Sequence, residues 1–307
     1  MGDQPRAGFV GLGRMGLSLA RNLARSGLPL TVMDAVAERA ALVDGSNVRA
    51  ATSLQKLAAS SDIIFLMLPG PREVRQVALA ADGVFTNARP GTIIVDMSTV
   101  DVDTVDLLAA EARTRDLRYA DAPVGRLAAH ADRGESLFMV GADAQTLDSI
   151  RPLLDWMGTS ILHCGPAGHG TRTKLINNFM VLCYCQINSE ALTLATALGL
   201  DLDRTLEVLL STTASNGQLR DKWREKVLAG DLTPGFALTL GLKDLTLACQ
   251  AATSAQVAVP MGNTARDMFR LAASAGYGAN DTSAMTEFWA AMNGIEPLRC
   301  GKDGNRD

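Results

Sequence analysis

The sequence predicts an α/β chain: a doubly wound parallel sheet, followed by one long interdomain helix and an all-α C-terminal domain. Three observations predict it. Short apolar runs alternate with helical stretches through the first half, the pattern that builds a parallel sheet covered by helices on both faces. Those runs, such as Ile63-Ile64-Phe65-Leu66-Met67-Leu68, are apolar throughout, as strands buried on both faces should be. From about Gly170 onward the strand pattern stops and every segment reads helical.

In chain order, strands are expected at residues 8–13, 30–34, 62–68, 92–97, 118–123, 137–141 and 161–164. Residues 171–198 form one long helical stretch, apolar on most sides through Leu175, Ile176, Phe179, Met180, Leu182, Ile187, Leu192 and Ala195. Burial against two neighbours at once is expected for it. The expected division is a sheet domain at 1–168, the connecting helix at 169–198 and an all-α domain at 199–307. No internal repeat of solenoid period and no low-complexity segment interrupts this order.

Composition narrows the function. A chain of 307 residues with 47% hydrophobic and 5% aromatic residues suits a globular protein too long for one small domain. Twenty-nine basic against 33 acidic residues, net charge -4, with no basic block, leave no electrostatic footprint for nucleic acid or an anionic membrane. Cys164, Cys183, Cys185, Cys249 and Cys300 are odd in number and mostly lie in apolar runs. They read as thiols of a reducing compartment, and no metal-ligand spacing accompanies them. Met1-Gly2-Asp3-Gln4-Pro5-Arg6-Ala7 lacks a signal-peptide core and no run has the length of a membrane span, so a cytoplasmic protein is expected.

The first chemical motif is Gly11-Leu12-Gly13-Arg14-Met15-Gly16, directly after a strand and before the amphipathic stretch Leu17-Ser18-Leu19-Ala20-Arg21-Asn22-Leu23-Ala24. Gly11 permits a tight turn, Gly13 lets the backbone approach a pyrophosphate, and Gly16 lets helix and strand pack closely. A Gly-rich turn alone says little; in strand-turn-helix context it marks a Rossmann-type dinucleotide site, with Arg14 and Met15 beside the glycines. Asp34, at the end of the second strand, is placed to hydrogen-bond both ribose hydroxyls and to repel a 2′-phosphate, which favours NAD(H) over NADP(H). Arg39, one helical turn on, is the feature that would admit NADP, and a helix cap is the alternative role for Asp34. Leu68 and Pro69, and Ser98 with Thr99, lie at the carboxyl ends of later strands, where ligands of such sheets bind. Ser98 and Thr99 could equally cap the helix near Val102.

The second constellation is Gly168-His169-Gly170-Thr171-Arg172-Thr173-Lys174-Leu175-Ile176-Asn177-Asn178. Lys174 shares a helix face with Asn177 and Asn178, three and four residues on. An ammonium and amides facing inward from a mostly apolar helix need partners, since burial without them costs several kcal/mol. A catalytic site supplies such partners; a solvated lysine with asparagines bonding between helices is the alternative.

These motifs, with Asp121-Ala122-Pro123-Val124 running on to Ala131 and Gly134 and with Leu242-Lys243-Asp244-Leu245, resemble in order and spacing the β-hydroxyacid dehydrogenase family, which includes the 3-hydroxyisobutyrate dehydrogenases. The resemblance covers about residues 7 to 295. It implies a Rossmann domain joined by a long helix to an α-helical domain that helps form homodimers or homotetramers. By residue, it implies Lys174 as proton donor or acceptor, aided by Asn178; Asn177 and Asn178 on the substrate, with Gly125, Val181 and Ser98 beside it; and Thr99, Leu68 and Lys243 on the cofactor.

Most family members carry Ser-Gly-Gly where this chain has Gly125-Arg126-Leu127. In the form Pro-Val-Gly-Arg it resembles the bacterial 3-sulfolactaldehyde reductases of sulfoquinovose degradation, from which Leu127 and His130 depart. A guanidinium offers a planar fork of donors that matches two oxygens of a sulfonate or carboxylate. The expectation is therefore NADH-dependent reduction of a small anionic aldehyde, 3-sulfolactaldehyde first, with Arg126 anchoring the anion. A carboxylated semialdehyde such as succinic semialdehyde, or 3-hydroxyisobutyrate as the alcohol, is the alternative substrate, and a catalytically silent nucleotide-binding module is the alternative of another class. Lys174 argues against that module and against imine reduction. Arg126 could instead form a surface or interdomain salt bridge; His130 reads as a structural hydrogen-bonding residue, Asp121 as a cap or brace of its loop, and Asp281 as a helix cap.

Overall fold

The computed structural model describes residues 4–301. It divides into two compact units, the boundary falling between Leu175 and Ile176. The first unit contains β1 (Ala7–Val10), α1 (Arg14–Ala24), β2 (Leu30–Met33), β3 (Val48–Ala50), α2 (Leu54–Ser60), β4 (Ile63–Leu66), α3 (Pro71–Leu79), α4 (Val84–Asn87), β5 (Ile93–Asp96), α5 (Val102–Thr114), β6 (Arg118–Asp121), β7 (Val124–Gly125), α6 (Ala128–Asp132), β8 (Ser136–Gly141), α7 (Ala144–Met157) and β9 (Gly158–Gly165). The helix α8 (His169–Ala197) starts in this unit and ends in the other. The second unit is helical, with α9 (Leu202–Ser211), α10 (Leu238–Ser254), α11 (Pro260–Ala272) and α12 (Met285–Met292). No helix among the described residues is long and apolar enough to cross a membrane.

The strands lie in the order β3-β2-β1-β4-β5-β6-β8-β7, with β9 on β8. The pairs from β3 to β6 are parallel, and the order reverses between β1 and β4. Side chains alternate between two cores because a strand has a period of two. Phe9, Phe65, Ile93 and Val95 fill one face with Leu19, Leu23 and Leu154; Val10, Ile64, Leu66 and Ile94 fill the other with Leu57, Val74 and Leu108. That double burial is why a central run such as Ile63-Ile64-Phe65-Leu66 is apolar at every position.

The doubly wound sheet is predominantly parallel, with a reversed part. β8 runs antiparallel to β6 and β7, with β9 parallel to β8. Asp121 pairs with Gly141, Val124 with Phe138 and Gly125 with Leu137, so β6 and β7 keep one register and form a single extended strand. Asp121 lies level with Asp96 of β5, and residues 122–125 therefore run about 13 Å past the carboxyl ends of the parallel strands.

A third, helical core surrounds Leu182, Cys185, Leu192, Trp223, Phe269 and Met285. α8 is buried along part of its surface within this chain: Leu175, Leu182, Leu192 and Ala195 are buried, whereas Ile176, Met180 and Ile187 are exposed. All five cysteines are free thiols. Burial pushes the Cys185 thiol up to about 12 and the Cys183 thiol to about 11, so both are protonated and inert at neutral pH. Asp281 caps a short turn by accepting from Ser283 N, and it also takes a buried salt bridge from Lys222 at 2.7 Å.

Candidate active site

The glycine turn is built as the sequence requires. Gly11 has φ +98, a Cβ on it would collide with the Met67 carbonyl, and a Cβ on Gly16 would collide with the Gly11 carbonyl. At Gly13 a Cβ would meet nothing within 4 Å. Gly13 is also the N-cap of α1 and supplies no side-chain cap, so no capping side chain occupies the first backbone N–H groups of the helix. This is the cradle a pyrophosphate needs, and the residues present fit a dinucleotide. It stands at the β1/β4 reversal, where doubly wound sheets bind their ligands.

Hydrogen bonds tie this turn to its neighbours along the carboxyl edge. Asp34 accepts from Leu12 N at 2.6 Å and from Val36 N at 2.8 Å. It does not cap a helix, since the following short turn begins after Val36. Arg39 reaches the same carboxylate at 3.3 Å, which puts a cation able to favour a 2′-phosphate directly beside the ribose-binding candidate. Ser98 is buried and accepts from Leu68 N at 2.9 Å, joining the loops after β4 and β5. Capping of α5 falls to Asp101, not to Ser98 or Thr99. Thr99 and Leu68 are half-buried and Pro69 is exposed on this edge. Met15 packs partly against the core.

Asp121 closes the row. Its buried carboxylate accepts from Gly168 N and Thr171 N, both at 2.5 Å, so it caps the N-terminus of α8. Burial pushes its carboxyl above the ordinary carboxylate range, against the pull of the two backbone donors. A Cβ on Gly170 would collide with the Met139 carbonyl. The start of α8 is thereby seated on the end of β6, and the brace read from sequence braces the helix. Lys174 is half-buried and lies three and four residues past Thr171 and Gly170, on the α8 face that meets the sheet edge.

In the helical unit Asn177 Nδ2 donates to Asn178 Oδ1 at 3.0 Å, and Asn178 Nδ2 donates to Asp244 at 2.6 Å. Lys243 pairs with the other Asp244 oxygen at 2.9 Å. Asp244 therefore orients two residues that sequence reasoning selected while being given no role itself. The available signal was a carboxylate between apolar residues in Leu242-Lys243-Asp244-Leu245. Val181 is half-buried further along α8.

Two arginines are held by partners within the first unit. The Arg14 guanidinium is held bidentately by Asp132 of α6, which also accepts from Ser18; the Arg14 side chain thereby joins α1 to α6. Asn22 Nδ2 adds a buried bond to the Ala131 carbonyl. Arg126 is exposed and has φ +71, a left-handed conformation that costs a non-glycine residue roughly 1–2 kcal/mol. It follows buried Gly125 and bonds to Glu135 O, Thr159 Oγ1 and Ser160 Oγ, without an ion pair among the described residues. His130 Nδ1 is buried without a hydrogen-bond partner among the described residues, so its expected structural bond is missing at that nitrogen.

Comparison with known proteins agrees with this architecture. Residues 6–165 match the family described as the NAD binding domain of 6-phosphogluconate dehydrogenase. Residues 168–289 match the one described as NAD-binding of NADP-dependent 3-hydroxyisobutyrate dehydrogenase. The chain is 36% identical to a 3-sulfolactaldehyde reductase of Escherichia coli K12 over 91% of this chain and 94% of that one. It is 33% identical to a 2-(hydroxymethyl)glutarate dehydrogenase of Eubacterium barkeri over 94% and 96%. Among solved structures, the 3-hydroxyisobutyrate dehydrogenase of Mycobacterium tuberculosis with L-serine superposes with TM-score 0.84 at 29% identity, over 93% of this chain and 99% of that one.

Proposed function

Since the chain belongs to the 3-hydroxyisobutyrate dehydrogenase family of nicotinamide-dependent oxidoreductases, we propose that it reduces 3-sulfolactaldehyde to 2,3-dihydroxypropane-1-sulfonate with NADH, reversibly. The observation that carries this reading is Arg126. An arginine occupies a left-handed turn position on the strand extension past the carboxyl edge, where the family resemblance puts substrate, and its charge has no carboxylate partner among the described residues. When bound, the reduced nicotinamide supplies the hydride that reaches the aldehyde carbon. Lys174, as an ammonium, stabilises the developing alkoxide and passes it a proton, help worth on the order of 10²- to 10⁴-fold. Asn178, fixed by Asp244, and Asn177 hold the substrate for that transfer. Arg126 takes the anionic far end and so supplies binding energy remote from the carbonyl. Asp34 supports NADH over NADPH, with Arg39 the source of any residual NADPH use.

A carboxylated substrate such as succinic semialdehyde is favoured by one observation: Leu127 and His130 supply neither the hydroxyl nor the amide that the sulfonate enzymes resemble each other in. Initial rates with NADH decide between them. A higher kcat/KM for 3-sulfolactaldehyde than for succinic semialdehyde supports the first reading, and the reverse order refutes it.

Two further readings belong to the same proposal. Ile176, Met180, Ile187 and Leu194 recur on α8 as exposed apolar residues along about 27 Å of helix, a stripe that a second copy of this chain would cover in a dimer or tetramer. Free thiols raised by burial support a reducing, cytoplasmic setting.

A further inference from the structure

The Arg126 side chain is held by more of the sheet edge than its own turn, and the role of those neighbours rests on the anchoring of the substrate anion by Arg126. Arg126 Nη1 donates to the Glu135 carbonyl at 2.6 Å and to Thr159 Oγ1 at 2.9 Å, and Nη2 donates to Ser160 Oγ at 3.3 Å. A guanidinium has five N–H donors. These bonds use both hydrogens of Nη1 and one of Nη2, leaving Nε–H and one Nη2–H.

Thr159 and Ser160 are consecutive in β9, and consecutive strand side chains normally point to opposite faces. Both hydroxyls nevertheless reach one guanidinium. The register explains how: Ser136 pairs with Gly158 and Leu137 with Ser160, so Thr159 is skipped. Thr159 is the extra residue of a β-bulge, a feature that re-aims a side chain and recurs beside active sites. The Glu135 carboxylate is engaged by Arg133 at 2.7 Å, so only its backbone carbonyl serves Arg126. The sheet edge thus commits a bulge, two hydroxyls and a carbonyl to fixing one long cationic side chain that is exposed to solvent.

We propose that Thr159 and Ser160 are positioning residues for substrate specificity: they lock the Arg126 guanidinium so that Nε–H and the remaining Nη2–H meet two oxygens of the substrate's sulfonate or carboxylate. Left-handed Arg126 and the bulge at Thr159 are two parts of one preformed anion site. Neither hydroxyl touches the substrate. Their effect is on how often the fork is correctly aimed, which is a binding effect and leaves the chemical step alone.

The test is the Thr159→Val/Ser160→Ala double variant beside Arg126→Ala, assayed with NADH and whichever of 3-sulfolactaldehyde and succinic semialdehyde the native enzyme turns over better. Lactaldehyde serves as an aldehyde without an anion. The double variant should raise KM for the anionic aldehyde roughly three- to tenfold at unchanged kcat, the size of one or two lost hydrogen bonds. Lactaldehyde kinetics and KM for NADH should not move, and the conservative Thr159→Ser variant should keep the native KM. An unchanged KM in the double variant while Arg126→Ala raises it overturns the inference and leaves the anchor standing. A parallel loss with lactaldehyde overturns it as a mere structural effect. An unchanged KM in Arg126→Ala overturns the anchor itself, and this inference with it.

Discussion

Replacing Asp121 by alanine tests whether the proton donor is positioned by the sheet edge. The carboxylate accepts two backbone N–H groups at 2.5 Å each, from Gly168 and Thr171. Hydrogen bonds to a charged group contribute about 1.5–3 kcal/mol apiece, and removal leaves two buried donors at a helix terminus. Part of that sum returns because a buried carboxylate no longer has to be desolvated. The expected net loss is about 3–5 kcal/mol, read as a lower urea midpoint by circular dichroism at pH 7. Released from its cap, the first turn of α8 shifts, and with it Lys174; a displacement of about 1 Å costs on the order of 10²-fold in kcat. Asparagine keeps one acceptor but turns an amide N–H towards the second donor, and should lose roughly half as much stability. A native urea midpoint together with kcat within about threefold of native in Asp121→Ala would refute the positioning argument. Full stability with abolished turnover in Asp121→Asn would instead make Asp121 an acid–base group.

Other consequences are as direct. Lys222→Met should destabilise the helical unit by about 3 kcal/mol, at the low end for breaking a buried pair, because Asp281 keeps its bonds from Gly235, Phe236 and Ser283; a thermal midpoint within one or two degrees of native would contradict it. The side-chain bond from Arg14 holds the Asp132 carboxyl at about 2, as Arg6 does for Asp62. Their stabilisation is present above the ordinary carboxylate range and lost as pH falls towards about 2, so Asp132→Asn should flatten the acid limb of a melting-temperature profile. Asp121, pushed up by burial, contributes the opposite slope, stability falling as pH rises through its titration. Leu194→Glu should convert an oligomer to monomer in light scattering after gel filtration, and an unchanged mass would remove α8 from the interface.

What was legible in the sequence was what neighbouring residues encode. The central strands announced themselves through runs like Ile63-Ile64-Phe65-Leu66, because burial on both faces leaves no polar position. β3, Val48-Arg49-Ala50, went unseen because it is mostly exposed and its three residues carry no such run. The reversal of β8 was invisible, since strand direction has no local signature. The glycine turn was readable because its residues are neighbours in the chain, and Asp34 because the strand-helix-strand unit brings the end of β2 beside that turn. Arg14 and Asp132 lie 118 residues apart, and Asn178 and Asp244 66 apart; nothing local pairs them. The bulge at Thr159 depends on a partner strand and could not be read from β9 alone. The exposed flank of α8 was misjudged for a similar reason: apolar periodicity reports that a face is to be covered, and does not say by which chain.

The proposed chemistry is tested most directly at Lys174. In Lys174→Ala, NADH affinity measured by calorimetry should stay within about twofold, while turnover of the preferred aldehyde falls by at least about 10²-fold, the contribution of a positioned general acid. Turnover within about threefold of the native enzyme, with NADH still bound, would contradict the assignment of the proton to this side chain.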